Sequence, residues 1–135
     1  MLIPFAASLA FSPATRAQSS YDLRSPDNRI EVRIRTAPVL RYDVLLSGRA
    51  LLQDSTLSLD IDHNSLGLHN PKVRSAKKRT ADQTLESPVR QKFARIREHY
   101  NELRLEMDGN YAVVFRAYNE GAAYRFETSL PQKEV

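Results

Sequence analysis

LRLEMDGNYAVVFRAY, residues 103–118, decides the fold. Leu103, Leu105 and Met107 alternate with Arg104, Glu106 and Asp108. That is the period of a strand with one face buried and one face wet. Asp108-Gly109-Asn110 then interrupts the pattern, and an apolar run starts at Tyr111. An Asp-Gly pair between two such runs is a strong hairpin signal, with Gly109 as the turn glycine.

The same alternation recurs upstream. Ile30, Val32 and Ile34 alternate with Glu31, Arg33 and Arg35, and Leu40, Tyr42 and Val44 flank Arg41 and Asp43. Leu57, Leu59 and Ile61 alternate with Ser58, Asp60 and Asp62. Pro26-Asp27-Asn28 precedes the first of these runs and Ser47-Gly48-Arg49 follows the second, both with turn chemistry. Four period-two runs joined by turns predict an all-β, antiparallel β-sandwich.

The 135 residues fit one domain. Apolar residues make up 41% and charged residues 27%, an ordinary globular balance. Absence of cysteine excludes disulfides and thiolate metal sites. The net charge of +4 is too weak to indicate nucleic acid without a concentrated basic face. At the N-terminus, the apolar run Leu2–Phe11 leads to Thr15-Arg16-Ala17. The pattern predicts a signal peptide over residues 1–17, cleaved after Ala17, although no basic residue precedes the run. An exported, periplasmic or extracellular domain over 21–135 is the expectation. The run is too short to span a membrane.

The stretch between Pro71 and Pro88 is charged and poor in apolar residues, so a long solvated loop is expected there. KVRSAKKR, residues 72–79, holds five basic side chains but no interleaved aromatic to stack on a base. In KFARIREHYNEL, 92–103, Phe93, Ile96, Tyr100 and Leu103 fall at helical spacing. DIDHNS, 60–65, opens like a calcium loop, but its sixth position is Ser65 and its twelfth Pro71, where glycine and glutamate are required. A strand end and turn suits it better. His63 and His69 have no third ligand at a believable spacing and suit the surface. Glu102, Glu120 and Glu127 lie near aromatics, the raw material of sugar chemistry. No nucleophile elbow or glycine-rich phosphate loop occurs, and no catalytic set assembles.

Four blocks occur in one order: SPDNRIEVRI (25–34), LRYDVLLSGRALLQDSTLSLDI (40–61), HYNEL (99–103) and FRAYNEGAAYRFE (115–127). They resemble the N-terminal domain of glycoside hydrolase family 97, from about Ser25 to Leu130. The resemblance implies a β-supersandwich related to the galactose mutarotase-like fold, incomplete here. In full-length members that domain packs on a (β/α)₈ barrel. Those enzymes act on α-linked glucosides or galactosides, generally outside the cytoplasm, with calcium near the site. The barrel carries their catalytic carboxylates, so no catalytic residue and no cofactor is carried over to this chain. The family also favours a strand at 92–103, because HYNEL leads directly into one.

Within the last block, Asn119-Glu120-Gly121 is expected to close a hairpin, with Gly121 at positive φ. Arg116 and Arg125 flank it, where Glu120 could pair with either. Tyr118 and Tyr124 could pair across the strands. Tyr118, Asn119, Glu120 and Tyr124 are the candidate residues facing a sugar or the barrel. The plain alternative is a hairpin that closes a sandwich edge. Two functions follow: the non-catalytic N-terminal portion of a family 97 α-glycosidase, helping to shape its substrate pocket, or a stand-alone carbohydrate-binding module.

Overall fold

The computed structural model describes residues 19–86 and 95–129. The expected signal peptide, Pro88 and Phe93 lie outside them. Each alternating run does form a strand: Ile30–Arg35 (β2), Arg41–Leu46 (β3), Leu59–Ile61 (β5) and Arg95–Met107 (β8). The others are Ser20–Arg24 (β1), Arg49–Thr56 (β4), Asn64–Leu66 (β6), Val73–Glu86 (β7), Tyr111–Tyr118 (β9) and Gly121–Thr128 (β10). β1–β4 form one antiparallel meander and β7–β10 a second, with the small β5–β6 hairpin between them.

The apolar positions of each run meet in one core. Val32, Ile34 and Leu23 from the first sheet face Leu103, Leu105, Met107, Val113 and Phe115 from the second. Leu40, Leu57 and Leu66 plug one end of the sandwich. The Leu40 amide donates to the Gly67 carbonyl, and the Leu57 amide to the Leu40 carbonyl. The 57–61 run is therefore split, with Leu57 in the plug and only Leu59–Ile61 in a strand.

Turn chemistry sets the registers. Ser47 and Gly48 both take positive φ between Leu46 and its partner Arg49. Asp62 and His63 do the same between Ile61 and Asn64, so DIDHNS is a strand end and turn. Both are two-residue hairpins of the type whose twist matches the strands. Asp108-Gly109-Asn110 is a three-residue loop, with Gly109 at φ 103° and Asn110 at φ 60°.

One expectation is corrected. Residues 73–86 are not a loop but the longest strand, β7, paired along its length with β8. It is an edge strand with nearly every side chain in solvent, so it carries charge on both faces and shows no apolar alternation. At 95–103 the strand that the family favours is borne out against the helical spacing. Residues 95–107 are extended, and Leu103 is buried while Ile96 is exposed.

Candidate functional site: a cleft at the open side of the sandwich

The two sheets do not cover each other fully. β1 packs on β8 and β9, and β2 on β9 and β10, whereas β4 packs chiefly on β3. The first sheet therefore overhangs the second at β10, which pairs only with β9 among the described residues. Under the overhang lies a cleft of about 630 Å³. Its floor and walls include Val44, Leu46, Leu52, Tyr42, Phe115 and Tyr124. Tyr42 stands 5.8 Å from Tyr124 and 6.4 Å from Phe115, ring centre to ring centre, and so bridges the two sheets.

β4 owes its exposed apolar character to irregular pairing. Its register with β3 shifts twice, so that Val44 opposes Leu52 while Leu45 opposes Ala50. Leu51 is the extra residue of a bulge, and both leucines line the cleft. Leu51 is 58% exposed, Leu52 47%, Tyr124 48% and Leu46 38%. Four large apolar side chains exposed around one cleft distinguish it from the scattered surface leucines of any protein.

The cleft has one polar end, made by Arg29, Asn119 and Glu120. The Asn119 side-chain oxygen accepts from the Asp27 amide at 3.0 Å, clasping the Asp27 turn of one sheet to the Asn119 turn of the other. Asp27 in turn accepts from the Ser25 hydroxyl at 2.6 Å and from Arg29. These bonds, the Ser25 one first, hold the Asp27 carboxyl down at about 2. Asp27 foremost, and Glu120 more weakly, favour the charged form of Arg29.

A second polar cluster lies on the opposite face of the second sheet. Glu102 accepts from Arg116 Nε at 2.8 Å and from Arg79 Nη2 at 3.1 Å. The Arg116 guanidinium stacks 4.3 Å from the centre of the Tyr100 ring, which lies 5.2 Å from that of Tyr118. Burial pushes the Glu102 carboxyl up, but the two guanidiniums outweigh it and hold it below the ordinary range. On the same face, Glu127 bonds to Arg104 and to Arg125. Glu102 and Glu127 are both held by arginines, which suits a rigid sheet surface.

The expected site residues thus divide. Asn119, Glu120 and Tyr124 come together at the cleft, but Tyr118 does not. Tyr118 opposes Tyr100 and Tyr124 opposes Phe115, positions of opposite parity along β9, so the two tyrosines lie on different faces and do not pair. Arg116 pairs with Glu102 and Arg125 with Glu127, and neither ion pair involves Glu120. Gly121 is corrected too. It is the first residue of β10, opposite Tyr118, and is not at positive φ; Asn119 and Glu120 are the two turn residues. Sequence reasoning missed Arg29, Tyr42 and the β4 leucines. The available signal was Leu51-Leu52 itself, adjacent apolar residues that a regular half-buried strand would not hold on one side.

His63 and His69 are exposed, and among the described residues no three His, Cys, Asp or Glu side chains converge as metal ligands. Among those residues, too, no helix is long and apolar enough to cross a membrane.

An all-β antiparallel sandwich with a cleft at one side is the class that fold and site define. The chain belongs to the glycosyl-hydrolase 97 N-terminal family, whose profile matches residues 23–135. It is 34% identical over 111 residues to a retaining alpha-galactosidase of Bacteroides thetaiotaomicron. That match covers 82% of this chain and 17% of the relative's length. Two solved structures share the fold. A glycoside hydrolase family 97 enzyme from Pseudoalteromonas sp. strain K8, in complex with acarbose, superposes with a TM-score of 0.71 at 18% identity, over 80% of this chain and 17% of that one. A beta-arabinopyranosidase superposes with a TM-score of 0.71 at 20% identity, over 84% of this chain and 18% of that one.

Proposed function

We propose that this chain is a non-catalytic N-terminal portion of a family 97 α-glycosidase, which helps to shape the substrate pocket when joined to a (β/α)₈ catalytic domain. The observation that carries the reading is the family match across residues 23–135, on a chain spanning 17% of its glycosidase relative. The described carboxylates support it. Glu102 and Glu127 are bound by arginines, and Glu120 stands at a turn, so these three acids do not form the pair flanking a sugar that glycoside hydrolysis uses. The substrate in this reading is an α-linked glucoside or galactoside, the latter favoured by the name of the Bacteroides relative. Calcium, which the resemblance attaches to full-length members, belongs in this reading to the rest of the enzyme. Export is part of the proposal, and the apolar run Leu2–Phe11 with Thr15-Arg16-Ala17 supports it.

The test is a chimera in which residues 23–135 replace the matched segment of the Bacteroides enzyme. The chimera should hydrolyse a chromogenic α-galactoside, whereas the 135-residue chain alone should not exceed a mock preparation. Turnover by the chain alone sinks the proposal, as does a folded chimera without activity. Retained binding to glycans in that second case would favour a stand-alone carbohydrate-binding module.

A further inference from the structure

We infer that Asn119 is a positioning residue for glycoside binding: by accepting the Asp27 amide it fixes the Asp27 turn against the Asn119-Glu120 turn, and so sets the Arg29 guanidinium beside the Glu120 carboxylate as a pair that receives hydroxyls of the sugar. The inference deepens the proposed function and rests on it for the enzyme in which that contact is made.

Three observations carry it. The backbone of the Asp27 turn is seized from the second sheet at two points. The Asn101 side-chain amide donates to the Arg24 carbonyl at 2.8 Å, and the Asn119 side-chain oxygen accepts from the Asp27 amide at 3.0 Å. The Thr80 hydroxyl steadies Asn101 by donating to its oxygen at 2.7 Å. The turn between these points is itself rigid. Ser25 is 1% exposed; its hydroxyl donates to Asp27 and accepts from the Ile30 amide at 2.9 Å. The Asp27 carboxylate takes both the amide and Nε of Arg29, at 3.0 and 2.8 Å. A guanidinium held by Nε keeps its Nη groups as donors in one fixed plane.

The third observation is the spacing of Arg29 and Glu120. Both line the polar end of the cleft, and Glu120, after Asp27, favours the charged form of Arg29. Yet among the described residues Arg29 is ion-paired to Asp27 alone and Glu120 to none. Glu102 and Glu127, by contrast, are each held by two arginines. Opposite charges set near each other but not joined keep hydrogen-bonding capacity for a third group. A guanidinium only donates and a carboxylate only accepts, whereas each sugar hydroxyl does both, so adjacent hydroxyls match the pair. Asn119 acts on Arg29 through Asp27 and on Glu120 as its chain neighbour. Without its bond the two charges would have to be ordered at the moment of binding, which costs affinity.

The experiment uses the chimera that carries residues 23–135 in the Bacteroides enzyme, with a chromogenic α-galactoside. A bond that merely joined the sheets would change stability and leave KM alone. Asn119→Ala should instead raise KM about fivefold with kcat within about twofold, and Asn119→Asp, whose carboxylate accepts the same amide, should restore it. Arg29→Gln and Glu120→Gln should raise KM as well, while Arg125→Gln, on the opposite face of the second sheet, should not. With Arg29→Gln already present, Asn119→Ala should add less than about twofold, because the two act through one network. The inference is overturned if Asn119→Ala leaves KM unchanged, if Asn119→Asp fails to restore it, or if the two substitutions multiply. Should Asn119→Ala fail to fold, Arg29→Gln and Glu120→Gln at exposed positions decide, and an unchanged KM in both overturns it. An active chimera whose KM ignores all these substitutions sinks the inference alone. An inactive wild-type chimera sinks the accessory-domain reading. Titration of the 135-residue chain with methyl α-galactoside, followed by amide NMR, then decides for Asn119. Shifts at Arg29 and Glu120 that Asn119→Ala abolishes uphold its role; no shift there overturns it.

Discussion

A methyl group added at Gly67 would stand 2.5 Å from the Leu57 carbonyl oxygen, on a backbone at φ 86°. One added at Gly121 would meet nothing within 4 Å, on a backbone outside the left-handed region. Gly67→Ala should therefore cost about 2 kcal/mol or more, and Gly121→Ala no more than about 0.5 kcal/mol, in urea denaturation of the chain. Equal effects would refute the turn assignment. Asp43 joins two strands of the first sheet through its charge. Its carboxylate takes both Arg35 Nη atoms, at 2.7 and 2.9 Å, and the Asp54 amide at 2.7 Å. Arg35 foremost holds its folded value down at about 2, against an ordinary 3.8. A depressed carboxylate stabilises the fold above its unfolded value, and that stabilisation is lost as pH falls through the folded one. Between about pH 4 and pH 2, wild type should lose on the order of 1 kcal/mol more than Asp43→Asn, after allowance for solvent screening. Parallel pH profiles for the two proteins would contradict this.

At the scale of the strand, Glu102 ties three of them together, β7 through Arg79 and β9 through Arg116. Its side chain is 9% exposed, so removing the carboxylate chiefly strands the partly buried Arg116 guanidinium, 22% exposed, whereas Arg79 keeps water. Glu102→Ala should cost about 3 kcal/mol, whereas Arg79→Ala, which removes the exposed partner, should cost under about 1 kcal/mol. The ratio of the two, read from chemical denaturation, is the check. β7 and β8 also outrun the sheet. β9 ends at Tyr118, opposite Tyr100, so Arg95–His99 pair with β7 alone. A two-stranded ribbon is marginally stable by itself. Amides of Arg95–His99 should exchange orders of magnitude faster than the β9-bonded amides of Asn101–Met107; equal protection would show that something else covers the ribbon.

For the whole molecule, the core is lopsided. Leu103 is fully buried between the sheets, while Leu52 is 47% exposed in the cleft. Leu103→Ala should cost about 3 kcal/mol in the isolated chain, and Leu52→Ala under about 1 kcal/mol. The asymmetry explains how one chain can be well packed around β8 and β9 and still present an apolar mouth at β4.

Sequence alone determined the strands that own a buried face. Ile30–Ile34 and Leu103–Met107 alternate because one side of each meets the other sheet, and Asp108-Gly109-Asn110 announces its turn because its φ values demand those residues. The family blocks were legible for the same reason, since they contain these core positions and turns. β7 was illegible because an edge strand with both faces in water leaves no apolar period, and only its bonds to β8 make it a strand. Gly121 misled because local chemistry allows a turn glycine there, while the pairing of β9 with β10 places Asn119 and Glu120 at the turn instead. The cleft was likewise decided by tertiary structure. Two register shifts in β4 aim Leu51 and Leu52 to one side, and the offset between the sheets leaves them uncovered. Register and offset arise from the meeting of distant segments, which no local pattern encodes.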